Sequence, residues 1–155
     1  MNDLAAFLRW NSGHLVENRN RCAYAEWLVH RALGVDAGEY RIEKEELDVS
    51  YGSATISVQS AAYVLSRQQT TPSPISFLIE QRSATAYVFC LLAELNPELA
   101  NPADLSQWRF WVVPTVTLHA ERKSIGLQPL IRAHGEGMAY GELRAAVEKL
   151  GLNNY

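Results

Sequence analysis

Cysteine is scarce in this chain: Cys22 and Cys90 are the only two among 155 residues, and neither sits in a Cys-x-x-Cys pattern. That excludes a disulfide-framed secreted scaffold and suits a reducing, cytoplasmic setting. Both thiols read as small buried hydrophobes. Long apolar runs are also missing. The longest extends from Ala84 to Ala93, interrupted by Thr85. It falls well short of the roughly 20 residues a bilayer-crossing helix needs. The opening Met1-Asn2-Asp3-Leu4 has no basic stretch followed by an apolar one, so no leader and no membrane association are expected. A surplus of positive charge is missing too. Fourteen Lys and Arg stand against seventeen Asp and Glu, a net charge of −3. A generally basic nucleic-acid coat protein is excluded, while a local basic groove is not, because steering depends on where charge sits. Phosphate-cradling GxxxxGK[ST] and GxSxG patterns are absent, and His14, His30, His119 and His134 lack zinc-ligand spacing.

What is present is ordinary globular material: 48% hydrophobic and 20% charged residues, enough for one core. Leu4, Phe7 and Leu8 predict a short helix over 3–10. Residues 11–20 read as a loop. Tyr24, Trp27, Leu28 and Ala32 predict a helix over 21–33, with Gly34 where a terminating glycine belongs. Residues 40–47 are a charged strand candidate, and Tyr51-Gly52-Ser53 is turn-like. Ala54 to Ser60 alternates apolar and polar, so Ile56 and Val58 face one way and Ser57 and Gln59 the other. Residues 61–66 open a helix or a loop, and residues 70–74 break any regular element.

Two strands are expected at 75–79 and 86–92, joined by a polar turn near residues 81–83. The second is apolar on both faces and therefore central. A further strand over 108–113 closes at Pro114. Residues 118–130, containing Pro129, read as mostly irregular. A final helix spans 141–150 and stops at Gly151. Helices and strands in this order predict an α/β layered domain with a mixed central sheet. Trp10, Trp27, Trp108 and Trp111 read as core or interface anchors, and His134-Gly135-Glu136-Gly137 as a glycine-rich loop.

The chemistry concentrates around residues 48–63. A metal-dependent nuclease needs one carboxylate at a strand end, and a second carboxylate and a lysine at alternate positions of the next strand. Alternate positions share a face. The carboxylates hold Mg²⁺ through oxygen, and the lysine orients the attacking water and offsets phosphate charge. Asp48 stands nine residues before Ser57, and Gln59 follows two later. The layout fits, but Ser57 and Gln59 have the wrong chemistry.

Several blocks together resemble a family of small bacterial proteins related to the PD-(D/E)xK, restriction-endonuclease-like superfamily. They are Ala25-Glu26-Trp27-Leu28-Val29, Asp48, Ile56-Ser57-Val58-Gln59-Ser60-Ala61-Ala62-Tyr63, and Ile75-Ser76-Phe77. Further on come Tyr87 to Leu92, Gln107-Trp108, Val112-Val113-Pro114-Thr115, and Lys123-Ser124-Ile125-Gly126-Leu127. The resemblance covers residues 20–145. It implies a three-layer α/β fold over a single nuclease-like domain, 1–155, with a restriction-endonuclease-like core.

The resemblance further implies that Ser57 occupies the place of the metal-binding Glu and Gln59 that of the catalytic Lys. Glu26 and Asp48 match the two other acids of such a site. A neutral hydroxyl supplies no charge to Mg²⁺, and an amide transfers no proton. The expectation is therefore a catalytically degenerate nuclease-like protein that binds nucleic acid or a protein partner without cutting, and needs no cofactor. Two alternatives stand beside it. One is an active Mg²⁺-dependent DNA endonuclease holding metal with Glu26 and Asp48, in which Glu43, Glu45, Glu46 or Glu80 replaces the lost glutamate. The other is a protein-interaction module without nucleic acid. Arg67, Gln69 and Lys123 are candidate nucleic-acid contacts, opposed by the plainer readings of a solvated loop and a surface lysine. Arg67, Arg82, Arg109, Arg122 and Lys123 clustered around a cleft would favour DNA.

Overall fold

The computed structural model describes residues 3–12, 14, 16–38, 49–80 and 83–150. Helix α1 spans Asp3–Ser12 and α2 spans Asn18–Leu33. In α2, Ala25, Leu28, Val29 and Leu33 recur at helical spacing and are buried. Each of the larger ones contributes about 1.5–3 kcal/mol by leaving water. Gly34 ends the helix at φ 68°, and the Val35 N–H reaches back to the carbonyl of His30 at 3.0 Å. This is the glycine-terminated cap that satisfies the last carbonyls of a helix.

Strands β1 (Val49–Tyr51) and β2 (Ala54–Ala62) form a hairpin across Gly52, whose φ of 59° favours glycine. The expected charged strand over 40–47 and the acids Glu43, Glu45, Glu46 and Asp48 lie outside the described residues. Strand β3 (Ser76–Leu78) is followed by β4 (Ala86–Leu92), β5 (Trp108–Pro114) and β6 (Ser124–Gly126). Helix α3 spans Leu127–His134 and α4 spans Leu143–Glu148. The main sheet has the order β1-β2-β4-β5, and β3 pairs with β6 in a second, two-stranded sheet. The pairing of β2 with β4 is parallel, and β1–β2 and β4–β5 are antiparallel. The fold is therefore α/β with a mixed sheet, and every residue of β4, which runs between β2 and β5, is buried.

The main sheet separates two apolar layers. Ile56, Val88, Cys90 and Phe110 pack beneath α2 and α4, whose buried contributors include Leu28, Leu143 and Val147. Ala61, Tyr87, Phe89, Trp111 and Val113 pack under the small sheet and α3, through Phe77, Ile125 and Leu130.

Three expectations change. Residues 75–79 and 86–92 do not form a hairpin: β3 belongs to the small sheet, and only β4 joins the main one. The stretch 118–130 is not irregular to its end, because it contains β6 and the start of α3. Pro129 is the third residue of α3, and the first turn of a helix has no internal acceptor for the missing N–H. Cys22 is not a buried hydrophobe. It is half-buried, with Sγ 3.1 Å from the hydroxyl of Ser60, whereas Cys90 is fully buried.

Candidate functional site

Strand alternation places Ser57 and Gln59 as the sequence suggests, on the face that also carries Tyr87 and Phe89 of the adjacent strand. Ser57 pairs in register with Tyr87 and is fully buried. Gln59 is half-buried, and its Nε2 donates to Ser57 Oγ at 3.4 Å. The two side chains thus form a neutral pair inside an aromatic layer. Glu26 belongs to the other side of the sheet, because α2 packs on the face of Ile56 and Val58. Ser57, Gln59 and the helix bearing Glu26 are therefore separated by the sheet. Glu80 is exposed just beyond β3.

Among the described residues, no group of three or more His, Cys, Asp or Glu is arranged to hold a metal ion. Ser57, Gln59 and the carboxylate of Glu26 do not converge their oxygens as Mg²⁺ requires, and Asp48 lies outside the described residues.

The three proposed nucleic-acid contacts are differently engaged, Arg67 and Gln69 in one loop and Lys123 beside β6. Arg67 Nη1 donates to the carbonyl of Pro97 at 3.3 Å. It lines a groove of about 410 Å³ that also contains Glu17 and His14, so charges of both signs meet there. Gln69 ties its own loop together: Nε2 donates to the Tyr63 carbonyl at 2.7 Å and to Ser73 Oγ at 3.1 Å, and Oε1 accepts from the Leu65 N–H at 2.9 Å. Lys123 is exposed, and its carbonyl accepts from the Ile79 N–H at 2.8 Å, next to the β3–β6 pairing. Arg109 is exposed and bonds the carbonyl of Trp108 at 3.0 Å. Arg82 lies outside the described residues.

A second groove of about 410 Å³ runs between the turn after β5 and α3. Arg122, Arg132, His119 and His134 line it, with Leu118, Ile125 and Pro129 supplying apolar surface. Burial holds the His134 imidazole below its ordinary range. Sequence reading singled out Arg122 but not this groove. Its other cation, Arg132, depends on α3, a helix masked in the sequence by Pro129.

A buried arginine completes the polar interior. Arg21 lies under the sheet face of α2, with Nε 3.3 Å from Ser60 Oγ, Nη1 3.3 Å from the Val16 carbonyl and Nη2 2.6 Å from Asn18 Oδ1. These three partners are neutral, Nη2 also lies 4.0 Å from Cys22 Sγ, and burial lowers the Arg21 pKa from its ordinary value.

Compared with protein families and with curated proteins, the chain matches no family model and no curated sequence. Among the described residues, no helix is long and apolar enough to cross a membrane.

Proposed function

We propose that this chain is a non-cleaving, nuclease-like protein of the PD-(D/E)xK restriction-endonuclease-like kind that binds nucleic acid. The observation that carries the reading is the pair of buried Ser57 and half-buried Gln59. These are the strand positions where the resemblance calls for a metal-binding glutamate and a catalytic lysine. Here they hold a hydroxyl and an amide bonded to each other. The mixed sheet, with α2 and α4 on one side and α3 on the other, is compatible with such a core. Loss of charge at both positions removes metal affinity and phosphate neutralisation together, while leaving a folded surface able to bind.

Incubation of the full chain with single- and double-stranded DNA and RNA, with Mg²⁺ or Mn²⁺, tests this reading. The expected result is salt-sensitive binding without cleavage. Metal-dependent cleavage abolished by Asp48→Ala would overturn it in favour of a rearranged active site. Absence of binding at low salt would remove the nucleic-acid part.

One observation favours a protein-interaction role instead. On α1, Leu4, Phe7, Leu8 and Trp10 are all exposed, with the Phe7 and Trp10 rings 6.4 Å apart. Clustered exposed apolar side chains of this kind mark partner surfaces.

A further inference from the structure

The groove between the turn after β5 and α3 is lined by charge opposite in sign to that of the chain as a whole. The chain as a whole carries a net charge of −3. Yet Arg122 and Arg132 both line this groove, and among the described residues that line it there is no Asp or Glu. Arginine keeps its charge across the physiological range, and its planar fork matches phosphate oxygens two at a time. His119 and His134 add ring nitrogens and flat faces, and Thr117 closes the groove beside them.

Leu118 and Ile125 are buried in its lining, while Arg122 and Arg132 are exposed and so accessible to an anion from solvent. The volume of about 410 Å³ falls within the range of small-ligand sites, which begins near 300 Å³. The scaffold is fixed: Ile125 in β6 is paired with Phe77 in β3, and Leu130 of α3 is fully buried. The two arginines are thus carried on anchored backbone, Arg132 on a helix and Arg122 two residues before β6.

We propose that this groove is the phosphate-binding surface for a nucleic-acid strand, with Arg122 and Arg132 as the phosphate ligands and His119 and His134 as neighbouring contacts to sugar or base. The assignment rests on the nucleic-acid-binding reading above and gives it a location. That location is distinct from the Ser57–Gln59 pair and from Arg67 and Gln69, whereas Lys123 directly follows Arg122 in the chain.

The test is fluorescence anisotropy with a labelled single strand and a labelled duplex, titrated with the full-length wild type, with R122E/R132E, and with a charge-matched control, R9E/R31E. Arg9 and Arg31 are exposed on α1 and α2, so the control changes net charge equally and leaves the groove intact. The milder R132Q and circular dichroism guard against misfolding. The expected result is loss of at least about tenfold in affinity for R122E/R132E relative to the control. The slope of log affinity against log salt should also flatten by about two, one for each phosphate contact removed.

Equal binding by R122E/R132E and the control would overturn the groove and leave the nucleic-acid reading standing. No binding of either strand by the wild type at low salt would overturn both. Tight binding of ATP by a wild type that ignores both strands would assign the groove to a small phosphorylated ligand and overturn the strand assignment.

Discussion

The indole N–H of Trp111 donates to the carbonyl of Gly135 at 2.8 Å, and its ring fills the space beside Gly137, where an added Cβ would meet ring carbons at 2.9 Å. Trp111 is almost fully buried and cannot swing aside. Gly137 also holds a φ of 91°. Gly137→Ala should therefore combine backbone strain with overpacking and cost about 3 kcal/mol. Gly135→Ala isolates the backbone part, since φ is 88° there but nothing lies within 4 Å. It should cost about 1 kcal/mol. Urea unfolding midpoints of the two variants check the difference.

Restoring the expected acid at the strand position should unfold the protein rather than revive catalysis. Ser57 is fully buried beside aromatic side chains. Ser57→Glu forces a carboxylate into that layer at a cost of about 3 kcal/mol or more at neutral pH. Ser57→Ala, which loses only the bond from Gln59, should cost about 1 kcal/mol. Burial raises a carboxyl pKa, so the Glu variant should recover stability relative to wild type as pH falls. Equilibrium unfolding at neutral and mildly acidic pH measures this.

Arg21 should prove structural. Arg21→Ala removes the Arg21 bond to the Val16 carbonyl, leaves Ser60 only its contact with Cys22, and opens a void, an expected loss of about 3 kcal/mol. Arg21→Met fills the space and should recover part of it. The neighbouring thiols give a second readout. Native protein should react with a thiol reagent at Cys22 alone, with Cys90 appearing only on unfolding, because Cys90 is completely buried and Cys22 is not. Mass spectrometry of labelled peptides distinguishes the two.

His134 should give the stability curve an acid-side slope. Burial lowers its pKa in the folded state, so the unfolded chain takes the proton more readily. The stability is complete above the unfolded value, near 6.5. It declines as pH falls through the lower folded value. His134→Gln should flatten this decline, which chemical denaturation at a series of pH values between 8 and 5 would show.

Much of the fold is legible in the residues. Helical spacing of Ala25, Leu28 and Val29 with Gly34 behind them marks α2, and strict alternation from Ala54 puts Ser57 opposite Ile56. The all-apolar run from Ala86 marks a strand covered on both faces. Other features depend on partners remote in sequence. Strand β6 is only Ser124, Ile125 and Gly126, and it exists because β3 lies beside it. Helix α3 hides behind Pro129. The candidate site is legible in the same uneven way. The facing of Ser57 and Gln59 follows from period two, but the separation of Glu26 from them follows from which side of the sheet α2 covers. No local pattern encodes that choice. Arg122 stands out by charge alone; its neighbour Arg132 does so only once α3 is in place.

The parallel pairing of β2 with β4 has a kinetic consequence. The β1–β2 hairpin closes across two residues, and β4–β5 across residues 93–107, so each antiparallel pair can form from nearby chain. The join between them must wait for residues 63–85 to loop back, a connection that carries β3. That strand is in turn completed by β6, far along the chain. Closing such loops costs entropy before any contact repays it, and non-local pairing slows folding. The centre of the native sheet should therefore be the last part to assemble. Substitutions at the β2–β4 join, such as Val58→Ala, whose strand partner is Val88, should change the folding rate little and the unfolding rate strongly.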